Sequence, residues 1–183
     1  VMEYADQGTF TELAPTMDWA LLKDLLLAVL DALSHAHAHD VIHRDLKPNN
    51  ILLTSSADSS LQIKLSDFGL AFRRDAYLDP MEDRTEEAHS GGTGGTPHYM
   101  SPEQLRARWR YLGPWTDIYG LGCMAWQLST GDYPFDGPSM MAIARGHLMD
   151  GLPDFEPNFP VPERFTNWLS RTLQKRPEKR FRT

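Results

Sequence analysis

The chain has 183 residues, 41% of them hydrophobic, which suits one domain or one large lobe able to bury a core without crosslinks. Its single cysteine, Cys123, excludes an internal disulfide, and a net charge of −7 argues against broad binding to nucleic acid or anionic membranes. No apolar run reaches the ~18 residues that a membrane span needs, and no signal peptide is visible. A reducing, cytoplasmic setting is therefore expected, with any membrane anchor lying outside the segment.

Residues 1–4 read as the end of a strand and residues 5–15 as a linker. A helix is predicted over residues 17–39, where Leu21, Leu22, Leu25, Leu26, Val29, Leu30 and Leu33 recur at helical spacing. Residues 41–50 form a loop containing Pro48. Residues 51–53 and 61–65 read as two short strands around a polar turn, a small hairpin. Residues 75–95 are acidic, then rich in Gly, Ser and Thr, which predicts a surface loop. Further helices are predicted over 102–108, 116–128, 139–147 and 163–174, the second of them apolar on all sides. The fold class expected is mainly α with a small β hairpin.

The chemistry lies between the first helix and the hairpin. Asp45 and Asn50 stand five residues apart in the loop, and Asp67 follows the second strand. A carboxylate, an amide and a second carboxylate can line one wall of a cleft. Their hard oxygens suit Mg²⁺, while Lys47 adds a positive charge beside Asp45. These groups suffice for half of a phosphoryl-transfer site: a base for an acceptor hydroxyl, oxygens for metal, and an ammonium for developing charge.

The run His43-Arg44-Asp45-Leu46-Lys47-Pro48-Asn49-Asn50, followed by Asp67-Phe68-Gly69, resembles the catalytic motifs of eukaryotic-type (Hanks-type) protein kinases. Thr96-Pro97-His98-Tyr99-Met100-Ser101-Pro102-Glu103 resembles that family's substrate-binding loop and Ala-Pro-Glu motif, with Ser101 in place of Ala. Asp117-Ile118-Tyr119-Gly120 resembles its buried bracing helix. The resemblance covers nearly the whole chain. Lys47, two residues after Asp45, favours Ser/Thr over Tyr specificity, and the wording around these motifs is similar to that of bacterial members.

The resemblance implies the lobe of a kinase domain that starts at the hinge, without its N-lobe: residues 1–10 as hinge, 43–50 as catalytic loop, 67–103 as activation segment and 104–183 as helical C-lobe. It implies ATP and Mg²⁺ as cofactors. Met2, Glu3, Ala5 and Leu52 would border the adenine, with Asn50 and Asp67 as metal ligands. Asp45 would be the base, Lys47 would contact the transferred phosphate, and Thr96 would bond both. It also implies that Asp117 braces the catalytic loop, that Arg180 pairs with Glu103, and that His43 packs on Phe68. Ser90 or Thr93, ahead of Thr85, would be the activating phosphosite that pairs with Arg44.

The partners expected are a protein substrate with a Ser or Thr acceptor and the N-lobe of the same chain. No nucleic acid and no membrane contact is expected within the segment. The 183 residues include no Gly-rich loop ahead of the hinge and no strand lysine of the Val-Ala-Ile-Lys type; the family places both before the hinge, and both ends look like cuts in a longer protein. A pseudokinase scaffold and a small-molecule phosphotransferase are the other function classes. Intact Asp45, Asn50 and Asp67 argue against the first, and the Glu103 and Arg180 motifs against the second. His35, His37 and His39 tempt a metal reading, but at a helix end they are better read as structural histidines favoured by the helix dipole. The tryptophans read as core residues, and Cys123 as a small buried hydrophobe.

Overall fold

The computed structural model describes residues 10, 16–55, 61–68 and 97–182; the side chains of Ser55 and Leu61 are outside the description. Five α-helices and one hairpin order these residues: α1 (Trp19–Ala38), β1 (Ile51–Ser55), β2 (Leu61–Leu65), α2 (Pro102–Leu105), α3 (Pro114–Thr130), α4 (Met140–Met149) and α5 (Glu163–Thr172). Single 3₁₀ turns occupy Pro48–Asn50, Pro97–Tyr99, Trp109–Tyr111 and Pro177–Lys179. The mainly helical architecture with one small sheet matches the expected fold class.

Asp18 starts α1, its carboxylate accepting from the Leu21 amide at 2.8 Å. The predicted stripe forms the buried face, with Leu22, Leu25, Leu26, Val29 and Leu33 in the core and Leu21 and Leu30 at its margin. Each fully buried leucine of this kind contributes about 2 kcal/mol of apolar transfer. Phe10, fully buried, joins the same cluster.

Helix α3 is the central rod. It is buried almost all round, from Thr116 through Trp126, and packs against both α1 and α5. Its start is two residues earlier than the sequence indicates, because Pro114 fits the first turn and Thr116 Oγ1 accepts from the Gly113 amide. Gly131 ends it in the left-handed conformation at φ 85°. Cys123 is fully buried in this helix, and burial pushes its thiol far above the ordinary range. Gly122 is a close-approach residue: a Cβ there would lie 2.5 Å from Thr172 Oγ1 and 3.1 Å from Leu173.

Helix α2 is shorter than the predicted 102–108. Ala107 takes a left-handed φ of 50°, and the chain turns back through Ala107 N–H to the Gln104 carbonyl and Arg108 N–H to the Glu103 carbonyl. Helix α5 likewise closes at Thr172, and the connection 151–162 holds no helix, as its composition indicates. Trp19 and Trp168 pack on Phe165, and Trp126 on Phe155.

Strands β1 and β2 pair antiparallel, with Ile51 opposite Leu65 and Leu53 opposite Ile63. Ile51 and Leu53 face the core, so Leu52 shows the other face of the hairpin. The Ser66 amide donates to the Asn50 carbonyl at 2.9 Å, which ties the end of β2 to the end of the loop.

Gly122→Ala should lower the unfolding free energy by about 1–3 kcal/mol through overpacking of α3 on α5. Gly151→Ala, whose Cβ meets nothing within 4 Å, should leave urea unfolding unchanged.

His147 is fully buried beside Tyr119, whose hydroxyl lies 2.8 Å from Nδ1, and burial above all pulls its pKa down to about 3. Below the ordinary value near 6.5 the unfolded chain takes up a proton that the folded chain refuses until about pH 3. The folded state is thus favoured above pH 6.5 and loses up to ~1.4 kcal/mol per pH unit as pH falls through that window. Urea unfolding at stepped pH should show wild type losing more stability than His147→Gln; identical pH profiles would contradict it.

Candidate active site

The loop 41–50 is held by a carboxylate from the central rod. Asp117, in the first turn of α3, is buried with no side-chain exposure. Its Oδ1 accepts from the Arg44 amide at 2.8 Å. Its Oδ2 accepts from the His43 amide at 2.9 Å and from His37 Nε2 at 2.7 Å. A buried carboxylate requires such donors, and three of them converge here from two segments. His37 therefore has a structural role. His39 Nδ1 donates to the His35 carbonyl at 2.8 Å.

Arg44 has a left-handed φ of 68°, a conformation that costs a non-glycine residue on the order of 1 kcal/mol. It is held from both sides. Its amide goes to Asp117, and its carbonyl accepts from Gln104 Nε2 at 2.6 Å. Gln104 Oε1 in turn accepts from the Ser101 amide at 3.0 Å, in a capping box that starts α2. Gln104 thus joins the Ser-Pro-Glu motif to the catalytic-type loop. The sequence reading missed this role. The Ser101-x-x-Gln104 spacing is the signal that marks the cap, but it does not reveal the long-range partner.

His43 sits at the base of the loop, fully buried. Its Nε2 donates to the Ser66 carbonyl at 2.9 Å, and its Nδ1 accepts from the Asp45 amide at 3.3 Å. Its ring packs on Phe68 with centroids 4.7 Å apart, as the motif resemblance implies. One imidazole thereby links the loop to the stretch that carries Asp67.

At the rim, Asp45 Oδ2 lies 2.8 Å from Lys47 Nζ and 3.0 Å from Asn50 Nδ2. Asn50 Nδ2 also donates to the Asp45 carbonyl at 2.8 Å. Both amide hydrogens of Asn50 are spent on Asp45, so its Oδ1 is the atom left for a cation. Asp45 is partly exposed at 30%, open enough to meet a substrate. Asp67 is exposed, has a left-handed φ of 56°, and is steadied by Ser66 Oγ at 3.4 Å from its Oδ2. The structure thus brings Asp45, Lys47 and Asn50 into direct contact and ties Asp67 to them through Ser66 and His43. Leu52 lies on the hairpin face turned from the core.

Two oxygen donors, Asn50 Oδ1 and the Asp67 carboxylate, fit a hard cation that takes its other ligands from phosphate and water. Among the described residues no cluster of three or more His, Cys, Asp or Glu offers an all-protein metal site. Met2, Glu3, Ala5 and Thr96, as well as Thr85, Ser90 and Thr93, lie outside the described residues.

A second buried ion pair anchors the far side. Arg180 donates to Glu103 through Nη1 at 2.7 Å and Nη2 at 2.9 Å. Its other hydrogens go to the carbonyls of Gln174, Trp115 and Lys175, so all five guanidinium donors are used. Thr116 Oγ1 adds a bond to Glu103 Oε1 at 3.0 Å, and the guanidinium lies 4.6 Å from the Tyr119 ring centroid. The pairing of Arg180 with Glu103 is as the motifs imply.

The family model for the protein kinase domain matches residues 1–183, and the chain belongs to the protein kinase family. It is 33% identical over 99% of its length to the serine/threonine-protein kinase Pkn1 of Myxococcus xanthus. It is 34% identical over 100% of its length to serine/threonine-protein kinase PrkC of Bacillus subtilis. Over 83% of its length it is 37% identical to serine/threonine-protein kinase pkn3 of Myxococcus xanthus. The chain spans only 25%, 27% and 27% of these relatives. Among the described residues no helix is long and apolar enough to cross a membrane.

Arg180→Met should cost about 3–5 kcal/mol, because it strands the Glu103 carboxylate in the core. Glu103→Leu combined with Arg180→Met should recover much of that loss in urea unfolding. A single variant as stable as wild type would show that the pair carries no structural weight.

Proposed function

We propose that the chain is the C-terminal lobe of a Ser/Thr protein kinase and supplies the base and metal side of its phosphoryl-transfer site. Asp45 orients a Ser or Thr hydroxyl of a protein substrate and takes its proton as that oxygen bonds the γ-phosphorus of ATP, while the bond from that phosphorus to the bridging oxygen breaks and ADP leaves. Lys47 steadies the carboxylate in the resting site and offers its charge to the transferred phosphoryl group. Asn50 Oδ1 and the Asp67 carboxylate would hold Mg²⁺, which would supply positive charge to offset that of the phosphates. Leu52 floors the adenine, with Met2, Glu3 and Ala5 along its edge. Thr96 bonds Asp45 and Lys47 once substrate is engaged. The activation segment carries the phosphosite that answers Arg44, at Ser90 or Thr93.

The observation that carries this reading is the shared Oδ2 of Asp45. Lys47 and Asn50 both bond that oxygen. The other oxygen, Oδ1, has no hydrogen-bond partner among the described residues, which suits a base awaiting a hydroxyl. The Ser/Thr kinase relatives of similar sequence support the acceptor class.

The full-length protein, given radiolabelled ATP and a mixed peptide library, should label Ser and Thr but not Tyr. Asp45→Asn should reduce turnover by about 10²–10⁴-fold, the usual contribution of a positioned base. A polypeptide limited to these 183 residues has no Gly-rich loop ahead of its hinge and no Val-Ala-Ile-Lys-type lysine, and should transfer phosphate hardly at all. Undiminished labelling by Asp45→Asn would refute the assignment of the base, and robust turnover by the 183-residue piece would refute the need for an upstream clamp.

A further inference from the structure

Away from the loop 41–50, a cavity of about 790 Å³ opens between α2, the Trp109–Tyr111 turn and the Pro177–Lys179 turn. Its lining reverses the sign of the whole chain. Arg106, Arg108, Lys175, Arg176 and Arg182 contribute five cations, in a protein whose net charge is −7. Only two carboxylates share the wall, Glu103 and Glu178. Glu103 is already neutralised by buried Arg180, and Glu178 reaches Arg176 only at 4.0 Å between exposed side chains. Arg106 and Arg182 are exposed and have no carboxylate partner among the described residues.

Like charges gathered in one concavity repel one another unless an anion joins them. Four of the five cations are arginines, whose planar forks bind phosphate bidentately and keep their charge at any working pH. The cavity also has structure. Lys175 Nζ is pinned by the Gly146 carbonyl at 2.8 Å and lies 3.7 Å from the Phe135 ring centroid. Trp115 Nε1 donates to the Tyr111 carbonyl at 2.9 Å, fixing the turn that presents the exposed Tyr111 ring. The volume falls in the range of small-ligand sites, about 300–1,000 Å³, larger than one phosphate group needs. In an acidic protein, this basic concavity suits a discrete anionic group rather than an extended polyanion or a flat membrane surface.

We propose that this cavity binds a phosphorylated peptide segment, its phosphate held by Arg106, Arg182 and the neighbouring cations and its flanking residues lying on Tyr111. The site is separate from the phosphoryl-transfer site and does not depend on the assignment of Asp45. It gives the domain a place to dock a protein that has already been phosphorylated.

The test is fluorescence anisotropy on the full-length protein with a labelled peptide library carrying a fixed central phosphoserine. Matched libraries with serine or glutamate at that position serve as comparisons. The phosphorylated library should bind at least about tenfold more tightly than either, in keeping with charge-assisted bidentate pairing. Arg106→Ala combined with Arg182→Ala should remove that preference, and Arg108→Ala combined with Arg176→Ala should weaken it. Inorganic phosphate should compete only at far higher concentration. Equal binding of the three libraries, or full preference retained by both double variants, would overturn the proposal. So would competition by inorganic phosphate as strong as by the peptide, or tighter binding to single-stranded RNA or to phosphatidylserine vesicles.

Discussion

The carboxylate of Asp117 is the fixed point of the molecule. It is fully buried on the central helix, and its two oxygens meet the amides of His43 and Arg44 and the ring of His37. A charge in that position is tolerable only while those donors stay in place, so the loop cannot drift without exposing the protein to the cost of an unpaired buried anion. The loop in turn sets where Asp45, Lys47 and Asn50 meet. The left-handed backbone at Arg44 is the local cost of this arrangement, and the Gln104 bond to the Arg44 carbonyl closes the clamp from the other side.

Two buried anchors thus divide the work, one a lone carboxylate and the other an ion pair. Asp117 positions the rim residues, and the Glu103–Arg180 pair ties α2 to the last turn. They are joined through covalent geometry. Glu103 precedes Gln104 on α2, and Thr116 precedes Asp117 on α3, while Thr116 bonds Glu103. A disturbance of either anchor reaches the other within one residue. Among the described residues, exposed Asp67 is by contrast tied through Ser66 and the His43–Phe68 contact, a looser link that suits its proposed role as a metal ligand.

Much of this was legible in the sequence, for physical reasons. The leucine spacing of residues 17–39 gave α1, the two short strand-like runs around a polar turn gave the hairpin, and the resemblance to kinase motifs implied that Asp117 braces the loop and that Arg180 pairs with Glu103. Helix ends were less legible. Ala107 in a left-handed conformation has no sequence signal, and it shortened α2. The Gln104 clamp and the basic cavity were invisible because both join residues distant in sequence: Arg44 to Gln104, and Arg106 to Arg182. Charge counting over the whole chain concealed the cavity, since the average is acidic while the concavity is basic. The expectations at Met2, Glu3, Ala5 and Thr96 lie outside the described residues and stand as proposals.

The central claim is that Asp117 holds the loop that makes Asp45 a base. Steady-state kinetics of Asp117→Asn in the full-length protein, with its folding followed by circular dichroism, tests this most directly. The amide keeps the size but surrenders one acceptor oxygen facing the His43, Arg44 and His37 donors. The account predicts a folded protein with kcat lowered by about 10²-fold, the scale expected when a base is misplaced, and KM for ATP little changed. Wild-type kcat in a folded Asp117→Asn protein would contradict it.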